Sequence, residues 1–367
     1  MIKTLHLRNF KCFASQSFLL GNLTLLTGLN GAGKSTVLQS LLLLRQSKLD
    51  GLLDRTGLSL NGSLVQLGTA RDIFYEDAEK DDFSFRLELD DHSSGDWVFR
   101  YDRKSDVVRR KSGKTPKELY QSSLFTDGFH YLQAERVGPR VGSSMSDYQV
   151  LQKHQLGPHG EYTAHFLAAY GEQPLPLLEL AHSASEGRTL RSQVEAWMSE
   201  VSPGVQIDVT TNPDLDLVNL RYRFVRARDV SNYYRPTNVG FGISYTLHVL
   251  VALLSSKPGT LLLLENPEAH LHPRGQSQLG GLIAQAAQAG VQILVETHSD
   301  HILNGIRVAV HDNLLSHENL KLYYLTRQAD ANAAVVIEPK MDRHGRIDQW
   351  PDGFFDEWEK RLEQLLD

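Results

Sequence analysis

The sequence contains little cysteine, no long apolar run and no excess of positive charge. Its single cysteine, Cys12, excludes an internal disulfide, which is typical of a reducing, cytoplasmic compartment. The longest apolar runs, such as residues 41–44 and 261–264, are far shorter than a bilayer requires, and the N-terminus lacks the apolar core of a signal peptide. The net charge of −6 excludes a protein that coats nucleic acid through overall positive charge. We therefore expect a cytoplasmic protein without a membrane span.

One short stretch of the chain is basic although the net charge is negative. It covers residues 102–117, in which Arg109, Arg110 and Lys111 are adjacent beside a predicted turn. These three side chains could neutralise the phosphates of a nucleic acid. The alternative interpretation is a solvated hairpin tip, which needs no partner.

The order of strand and helix patterns predicts an α/β protein. Alternating apolar residues in 2–10 and 22–28, followed by a helical pattern in 35–47, give a strand, a loop and a helix. Residues 63–134 hold strand-like pieces broken by Gly, Asp and Ser clusters, which predict an antiparallel lobe. From residue 260 onward, buried apolar strands alternate with helices, and this indicates a mainly parallel sheet covered on both faces.

A phosphate loop is the strongest motif in the chain. The segment GLNGAGKS, residues 28–35, matches G-x-x-x-x-G-K-[ST] and lies between a predicted strand and a predicted helix, as the motif requires. The glycines let the backbone wrap around phosphates, Lys34 reaches the terminal phosphates, and Ser35 can hold magnesium. The alternative is a chance match in an ordinary turn, and the context argues against it. The predicted nucleotide contacts are Asn30, Gly31, Ala32, Gly33, Lys34, Ser35 and Thr36.

The segment LLLLENPEAHLHP supplies the carboxylates that a phosphate-loop enzyme needs. Glu265 closes the apolar run, so we predict that it holds the hydrated magnesium ion. Asn266 stands where many related enzymes carry a glutamate, and an amide can orient water but cannot accept its proton. Glu268 is the substitute candidate for the base. The alternative for Glu268 is a surface charge at a helix start, where the helix dipole favours an acid.

Three histidines follow the acidic residues and allow more than one interpretation. His270, His272 and His298 could be taken for a zinc cluster, but two histidines with one residue between them and no cysteine are a weak zinc signal. His298 comes just after the predicted strand VQILVE. We predict that it contacts the terminal phosphate and reports whether ATP is intact, in preference to a zinc or a plain structural role.

Five segments together carry a family resemblance. GLNGAGKST, YLQAERVGPR, NVGFGIS, LLLLENPEAHLHPRGQSQLG and ETHSDHILN, in this order, resemble the SMC-like and RecF-like ATPases with ABC-type heads. More narrowly, the chain is similar to the OLD-related bacterial AAA ATPases of the DUF3696 type, whose chains end in a WPDGFF-like segment. The resemblance covers nearly the whole chain. It implies an ABC-type ATPase head with a mainly parallel sheet flanked by helices, an antiparallel β-lobe and a short helical insertion.

The same resemblance implies a division of the chain into four segments. Residues 1–140 would form the N-terminal part of the head with the phosphate loop and the β-lobe, and residues 141–203 the helical insertion. Residues 204–340 would form the C-terminal part with the signature, the acidic strand and the histidine loop, and residues 341–367 a helical tail.

The resemblance further implies ATP and Mg²⁺ as cofactors and a head-to-tail homodimer, or a higher oligomer, around the nucleotides. Gln133 matches the Q-loop glutamine, which would contact magnesium and water, and Lys11 falls where relatives carry a basic residue near the nucleotide. Aligning VGFGIS puts Gly240 at the usual serine of the signature segment. The amides of Gly240 and Gly242, or the hydroxyl of Ser244, would then have to meet the partner's terminal phosphate.

These features imply a switch more than a fast enzyme. Asn266 and the missing signature serine indicate slow hydrolysis and a long-lived ATP-bound dimer. The chain has no acidic cluster like that of a TOPRIM nuclease, and its helical insertion is too short for the long coiled coil of a chromosome-organising protein. The resemblance to stand-alone ATPases of this kind implies a sensor or regulator of anti-phage defence with a separately encoded effector nuclease or toxin. The alternatives are an ATPase clamp of DNA repair or recombination and a non-hydrolysing nucleotide-binding scaffold.

Overall fold

A computed structural model describes residues 1–226, 229–327 and 331–366, and the chain divides into two units. Unit one consists of residues 1–129, 320–341 and 347–367. Unit two consists of residues 130–319 and 342–346. The two ends of the chain therefore belong to the same unit, because a late strand pairs with an early one.

The strands and helices have the following bounds. The strands are β1 (Ile2–Phe10), β2 (Phe13–Leu19), β3 (Leu23–Gly28), β4 (Gly57–Ser59), β5 (Asp82–Leu89), β6 (Ser94–Arg100), β7 (Val107–Ser112), β8 (Phe129–Leu132), β9 (Ser143–Ser144), β10 (Val205–Asn212), β11 (Leu217–Arg226), β12 (Asp229–Val230), β13 (Leu261–Glu265), β14 (Gln292–Glu296), β15 (Leu320–Arg327) and β16 (Ala334–Ile337). The α-helices are α1 (Lys34–Leu49), α2 (Ala70–Ile73), α3 (Thr163–Tyr170), α4 (Leu190–Ser199), α5 (Phe241–Ser255), α6 (Pro273–Gln288), α7 (Asp300–His311) and α8 (Glu357–Leu366).

Unit one contains the predicted antiparallel lobe. Its sheet has the strand order β2-β1-β5-β6-β7-β4, and each neighbouring pair is antiparallel. The buried face of the sheet is aromatic: the rings of Phe83, Phe85 and Phe99 contact one another, and Phe10 of β1 joins them. The lobe therefore begins earlier than the predicted residues 63–134, because β1 alternates buried and exposed residues and packs on the same core.

Unit one also contains a small parallel pair that carries the phosphate loop. Strand β3 pairs in parallel with β15, from Leu23 opposite Leu320 to Gly28 opposite Leu325. Strand β16 then adds to β15 in the antiparallel direction. Strand β3 is buried almost along its whole length, as expected for a strand of a parallel sheet.

Unit two places the acidic strand in a parallel pair. Strand β13 pairs in parallel with β14, from Leu261 opposite Gln292 to Glu265 opposite Glu296, and β8 lies on the other side of β13. Helices α6 and α7 pack closely, since a Cβ at Gly280 or Gly305 would overlap the backbone of the other helix. The α/β class and the parallel pairing are thus confirmed.

The segment predicted as a helical insertion lies in unit two. Residues 141–203 contain α3 and α4 together with the short strand β9, and the hairpin of β10 and β11 follows them. Helix α4 begins at the N-cap Thr189, whose side chain accepts a hydrogen bond from the amide of Ser192.

The aromatic residues of the C-terminal segment differ in their packing. Phe354 is only 1% exposed, and its ring contacts that of Tyr324 with 5.5 Å between the centroids. Trp358 is 71% exposed. Among the aromatic residues of this tail, Phe354 therefore packs onto the core, whereas Trp358 lies on the solvent side of α8. None of the helices in the described ranges combines the length and the apolar character that a bilayer-spanning helix needs.

Candidate functional site

The phosphate loop of unit one has a backbone that only glycine can adopt at two positions. Gly28 has a φ of 134° and Gly33 a φ of 105°, a region that residues with a side chain rarely enter. A Cβ at Gly28 would overlap the carbonyl oxygen of Leu325, and one at Gly33 would overlap Sγ of Cys12. The loop therefore runs tightly against β15 and the turn between β1 and β2 before it enters α1.

Lys34 holds the loop together from the first position of α1. Its side chain is only 4% exposed, and Nζ donates hydrogen bonds to the carbonyls of Gly28 and Leu29 at 2.9 Å each. An ammonium group enclosed by the loop is the arrangement that a phosphate-binding lysine needs. Asn30 and Gly31 form the exposed tip of the loop, while the remaining predicted contacts, Ala32, Ser35 and Thr36, are buried or half-buried.

The start of α1 favours an anion. No acidic residue lies in its first turn, and its N-cap, Gly33, offers no side-chain acceptor. The positive end of the helix dipole therefore attracts phosphate oxygens at this position.

Lys11 packs on α1 of the same unit. Its Nζ donates to Oε1 of Gln39 at 2.7 Å, and burial lowers its pKa. Its φ of 49° brings the turn between β1 and β2 beside the phosphate loop, where Cys12 contacts Gly33. The predicted contact of Lys11 with a nucleotide stays a prediction.

In unit two, Glu265 is held at the end of β13 by two hydrogen bonds. The hydroxyl of Tyr131 donates to Oε1 at 2.9 Å, and the amide of Ala134 donates to Oε2 at 3.2 Å. Burial raises the pKa of Glu265, and the bond from Tyr131 opposes that rise. Glu296 lies directly opposite on β14, so two carboxylates end neighbouring strands.

A left-handed turn separates Glu265 from Glu268. Asn266 has a φ of 44°, a conformation that asparagine tolerates better than most residues. Its amide donates to the carbonyl of Glu296 at 2.8 Å. After the turn, Oε1 of Glu268 accepts a hydrogen bond from the amide of His298 at 2.9 Å, and Oε2 is buried without a hydrogen-bond partner among the described residues. The structure therefore brings Glu265, Glu268, Glu296 and the backbone of His298 together.

The three predicted histidines have separate surroundings. The side chain of His298 is exposed. The ring of His270 contacts those of Tyr245 and Phe241, with centroid distances of 4.5 and 5.6 Å. Nδ1 of His272 accepts from the amide of Arg274 at 3.4 Å as the N-cap of α6. Within the described ranges, no three His, Cys, Asp or Glu side chains are grouped to hold a metal ion.

Gln133 lies on the segment that follows β8. Its Nε2 donates to the carbonyl of Glu135 at 3.2 Å and contacts the imidazole of His159, with 2.9 Å to Nε2. The side chain is half-buried, and its amide oxygen is the group that the predicted magnesium role requires. His159 was not predicted from the sequence.

The signature segment begins α5. Gly240 is the N-cap, Phe241 is 57% exposed, and a Cβ at Gly242 would lie 2.6 Å from the carbonyl oxygen of His270. Ser244 is 5% exposed with a buried hydroxyl. Gly240 is exposed and the hydroxyl of Ser244 is buried, so of the two predicted ways to meet a phosphate the one through Ser244 has less support. An open cavity of about 540 Å³ adjoins this helix start, lined in part by Gly240, Gly242, His270 and His272.

Two side chains that contact Glu265 and Asn266, Tyr131 and Arg136, were not identified from the sequence. The guanidinium of Arg136 donates to the carbonyl of Glu265 at 2.7 Å and to that of Asn266 at 2.8 Å. Its burial lowers its pKa to about 10. Both residues lie in the segment YLQAERVGPR, whose sequence does not reveal their contacts.

Two cations of the basic stretch in unit one, Arg110 and Lys111, pair with carboxylates. Nζ of Lys111 lies 2.7 Å from Oδ2 of Asp82, and the guanidinium of Arg110 lies 3.8 Å from Oδ1 of Asp54. Arg109 is exposed. Arg109, Arg110 and Lys111 lie within strand β7 and not at a hairpin tip, and the ion pairs argue against a phosphate-binding patch.

The comparisons with known proteins agree with this arrangement of motifs. A family model described as "AAA domain, putative AbiEii toxin, Type IV TA system" matches residues 23–304. A second, described as "Protein of unknown function (DUF3696)", matches residues 315–365. No curated protein gives a significant match.

Among solved structures the chain is similar to heads of SMC proteins. The SMC head domain from Thermotoga maritima is 12% identical with a TM-score of 0.49, and the match covers 92% of this chain and 98% of that one. An Smc head bound to the C-terminal winged-helix domain of ScpA is 13% identical with a TM-score of 0.48, over 93% of this chain and 98% of that one. A third head, with an extended coiled coil and bound to a ScpA domain derived from Pyrococcus furiosus, is 12% identical with a TM-score of 0.48, over 100% of this chain and 99% of that one.

Proposed function

The chain belongs to the AAA-domain family whose model spans residues 23–304, and from this premise we propose that the protein is a magnesium-dependent ATPase that acts as a switch. The observation that carries the proposal is the phosphate loop, in which left-handed glycines and the buried Lys34 form a cradle at the start of α1. The experiment that tests it measures phosphate release from ATP with and without Mg²⁺. An absence of turnover at saturating ATP and Mg²⁺ would instead favour the non-hydrolysing scaffold.

The side chains suit a magnesium ion. In unit two, the amide oxygen of Gln133 and the carboxylate of Glu265 are hard oxygen donors, and Mg²⁺ is usually held by one or two carboxylates together with substrate phosphates. The carboxylate of Glu265 accepts one hydrogen bond at each oxygen, so lone pairs remain for a cation. When bound, the ion would neutralise charge that develops on the phosphates.

Glu268 is the best candidate for the base. Its Oε2 is a buried carboxylate oxygen without a hydrogen-bond partner among the described residues, and such an atom calls for water or substrate. Asn266 would at most orient the water, because an amide does not accept its proton. His298, whose amide binds Glu268, would report the presence of the terminal phosphate.

We further propose that ATP closes a homodimer through the signature segment. The amides at the start of α5 would meet the terminal phosphate bound by the partner subunit. Phe241, exposed beside them, would be covered in that dimer. The slow hydrolysis expected from the departures at Asn266 and Gly240 would give the closed state a long lifetime.

Replacement of Gly240 by aspartate is expected to prevent closure. A Cβ at Gly240 has open space around it, and aspartate is a good N-cap, so the fold of α5 should persist. A carboxylate facing a phosphate costs several kcal/mol, and we therefore expect ATP-dependent dimerisation to weaken at least about tenfold. Sedimentation of Gly240→Asp with ATP measures this effect. If the monomeric variant binds ATP as tightly as the unmodified protein, its own nucleotide site is intact.

Gly281→Asp is the matched control. A Cβ at Gly281 also meets open space, and the residue lies in α6, outside the signature segment. Unchanged dimerisation in Gly281→Asp together with its loss in Gly240→Asp supports the proposal. Dimers of equal strength in both variants would argue against a signature role for the start of α5.

The cellular role that we propose is regulation in anti-phage defence. The family description includes a toxin of a type IV toxin–antitoxin system, which supports a function in a module with a second, separately encoded component. The ATP-bound dimer would hold or release an effector nuclease or toxin of that module. The genes next to this one provide the cheapest test, because a neighbouring nuclease or toxin gene is expected.

The clamp function in DNA repair or recombination has less support from the structure. Because Arg110 and Lys111 already pair with Asp54 and Asp82, we expect duplex DNA to change ATP turnover by less than about twofold at low salt, where phosphate contacts are strongest. The measurement compares the unmodified protein with a variant in which Arg109, Arg110 and Lys111 are alanine. Salt-sensitive stimulation by DNA that disappears in this variant would support the clamp instead.

A further inference from the structure

Tyr131 and Arg136 are buried polar residues that flank the predicted Q-loop glutamine. Tyr131 is 7% exposed and Arg136 is 2% exposed. A buried guanidinium is expensive unless its donors are satisfied. Nη1 and Nη2 donate to the carbonyls of Gln133, Glu265 and Asn266, while Nε is buried without a hydrogen-bond partner among the described residues. The segment that carries Gln133 is thus joined to the end of the acidic strand.

Tyr131 controls the direction of the Glu265 carboxylate. The hydroxyl approaches Oε1 from β8, while the amide of Ala134 approaches Oε2. Two donors on opposite oxygens define the plane of the carboxylate and still leave acceptor lone pairs. Partners of this kind orient a metal ligand and make it a better one.

Arg136 controls the backbone of the following turn. Its planar fork binds the carbonyls of Glu265 and Asn266 at 2.7 and 2.8 Å. Asn266 between them has a φ of 44°, a strained conformation that persists only where neighbouring groups fix it. This turn sets the position of the Glu268 backbone. From that position the carboxylate of Glu268 accepts a hydrogen bond from the amide of His298.

We propose that Tyr131 and Arg136 are positioning residues of the ATPase site. Tyr131 orients the Glu265 carboxylate toward the magnesium ion, and Arg136 fixes the turn at Asn266 from which Glu268 acts. The inference rests on the proposed function, in which Glu265 holds magnesium and Glu268 is the base. It adds that both acids depend on the segment carrying Gln133 for their geometry.

The Tyr131→Phe variant tests the first half of the proposal, since it removes one hydroxyl and keeps the ring. The affinity of the nucleotide-bound protein for Mn²⁺, a spectroscopic substitute for Mg²⁺, is measured by electron paramagnetic resonance. Loss of a residue that orients a metal ligand weakens metal affinity about 10- to 100-fold, and we expect a change of at least about tenfold here. The Mg²⁺ concentration for half-maximal turnover should rise in parallel, while ATP binding without metal stays unchanged.

Tyr324→Phe is the matched control. Tyr324 is 2% exposed, and its hydroxyl donates one hydrogen bond of 2.9 Å, to the carbonyl of Asp352 in unit one. Normal Mn²⁺ affinity in Tyr324→Phe and a similar melting temperature for both variants are expected. Equal Mn²⁺ affinity in the two variants, or a loss that appears only with a larger fall in melting temperature, would overturn the positioning role of Tyr131.

The Arg136→Lys variant tests the second half. Lysine keeps the charge but lacks the fork that spans two carbonyls, so Glu268 should lose its alignment and kcat should fall about 10- to 100-fold. The KM for ATP should change little, because the phosphate loop is intact. An unchanged kcat would overturn the role of Arg136. If the unmodified protein shows no turnover while Tyr131→Phe still loses Mn²⁺ affinity, the ATPase proposal fails and the positioning of Glu265 by Tyr131 stands.

Discussion

Replacement of Lys34 by alanine is expected to abolish ATP binding and, with it, ATP-dependent dimerisation. Nζ of Lys34 lies inside the phosphate loop, 2.9 Å from the carbonyls of Gly28 and Leu29, where it can turn to the terminal phosphates of a nucleotide. A hydrogen bond to a charged group contributes about 1.5–3 kcal/mol. Loss of two such bonds therefore weakens ATP binding about 100-fold or more. Titration of the protein with a fluorescent ATP analogue measures the change.

Lys48→Ala provides the control for this result. Lys48 lies at the other end of α1 and pairs with Asp54, so the variant removes the same charge from the same helix without touching the loop. Its ATP affinity should equal that of the unmodified protein. Unchanged ATP affinity in Lys34→Ala would refute the assignment of the nucleotide site.

The local motifs were predictable from sequence because their signals are local. The phosphate loop combines glycine spacing, a preceding apolar strand and a following helix within residues 23–49, and each of these follows from short-range chemistry. The parallel strands around Leu261–Glu265 were predictable for a similar reason, since a continuous apolar run indicates burial on both faces.

The contacts that hold Glu265 and Asn266 in place were not predictable, because they join residues far apart in the chain. Tyr131 meets Glu265 and Arg136 meets Asn266 only after the strands are assembled. Burial of an arginine has no sequence pattern of its own, and charged residues are expected at the surface.

At Asn266 the sequence indicates the chemistry of the side chain but not the conformation of the backbone. The sequence indicates that its amide cannot be a base. The structure adds that Asn266 has a left-handed φ of 44° and that its backbone N–H donates to the carbonyl of Glu296. An asparagine at this position thus supports the turn that leads to Glu268, and its role is structural as well as chemical.

Replacement of Glu268 by glutamine is expected to lower ATP turnover strongly while ATP binding persists. Glutamine keeps an oxygen for the amide of His298, which Oε1 of Glu268 binds at 2.9 Å, but it cannot accept a proton from water. General-base catalysis contributes about 10²- to 10⁴-fold, and we expect a fall in kcat within this range. The ATP-bound dimer should accumulate in Glu268→Gln, which sedimentation with ATP and Mg²⁺ can detect.

Two further variants separate position 268 from position 266. Glu195→Gln is the control. The carboxylate of Glu195 also accepts a hydrogen bond from a backbone amide, that of Ile207 at 2.7 Å, but Glu195 lies on α4, away from Glu265 and Glu268 in the sequence. ATP turnover of Glu195→Gln should be normal. Adding Asn266→Glu to Glu268→Gln should not restore turnover, since a glutamate at a φ of 44° is strained by about 1–3 kcal/mol and its backbone remains tied to Glu296. Full recovery in that double variant would assign the base to position 266 and reduce Glu268 to a support for the amide of His298.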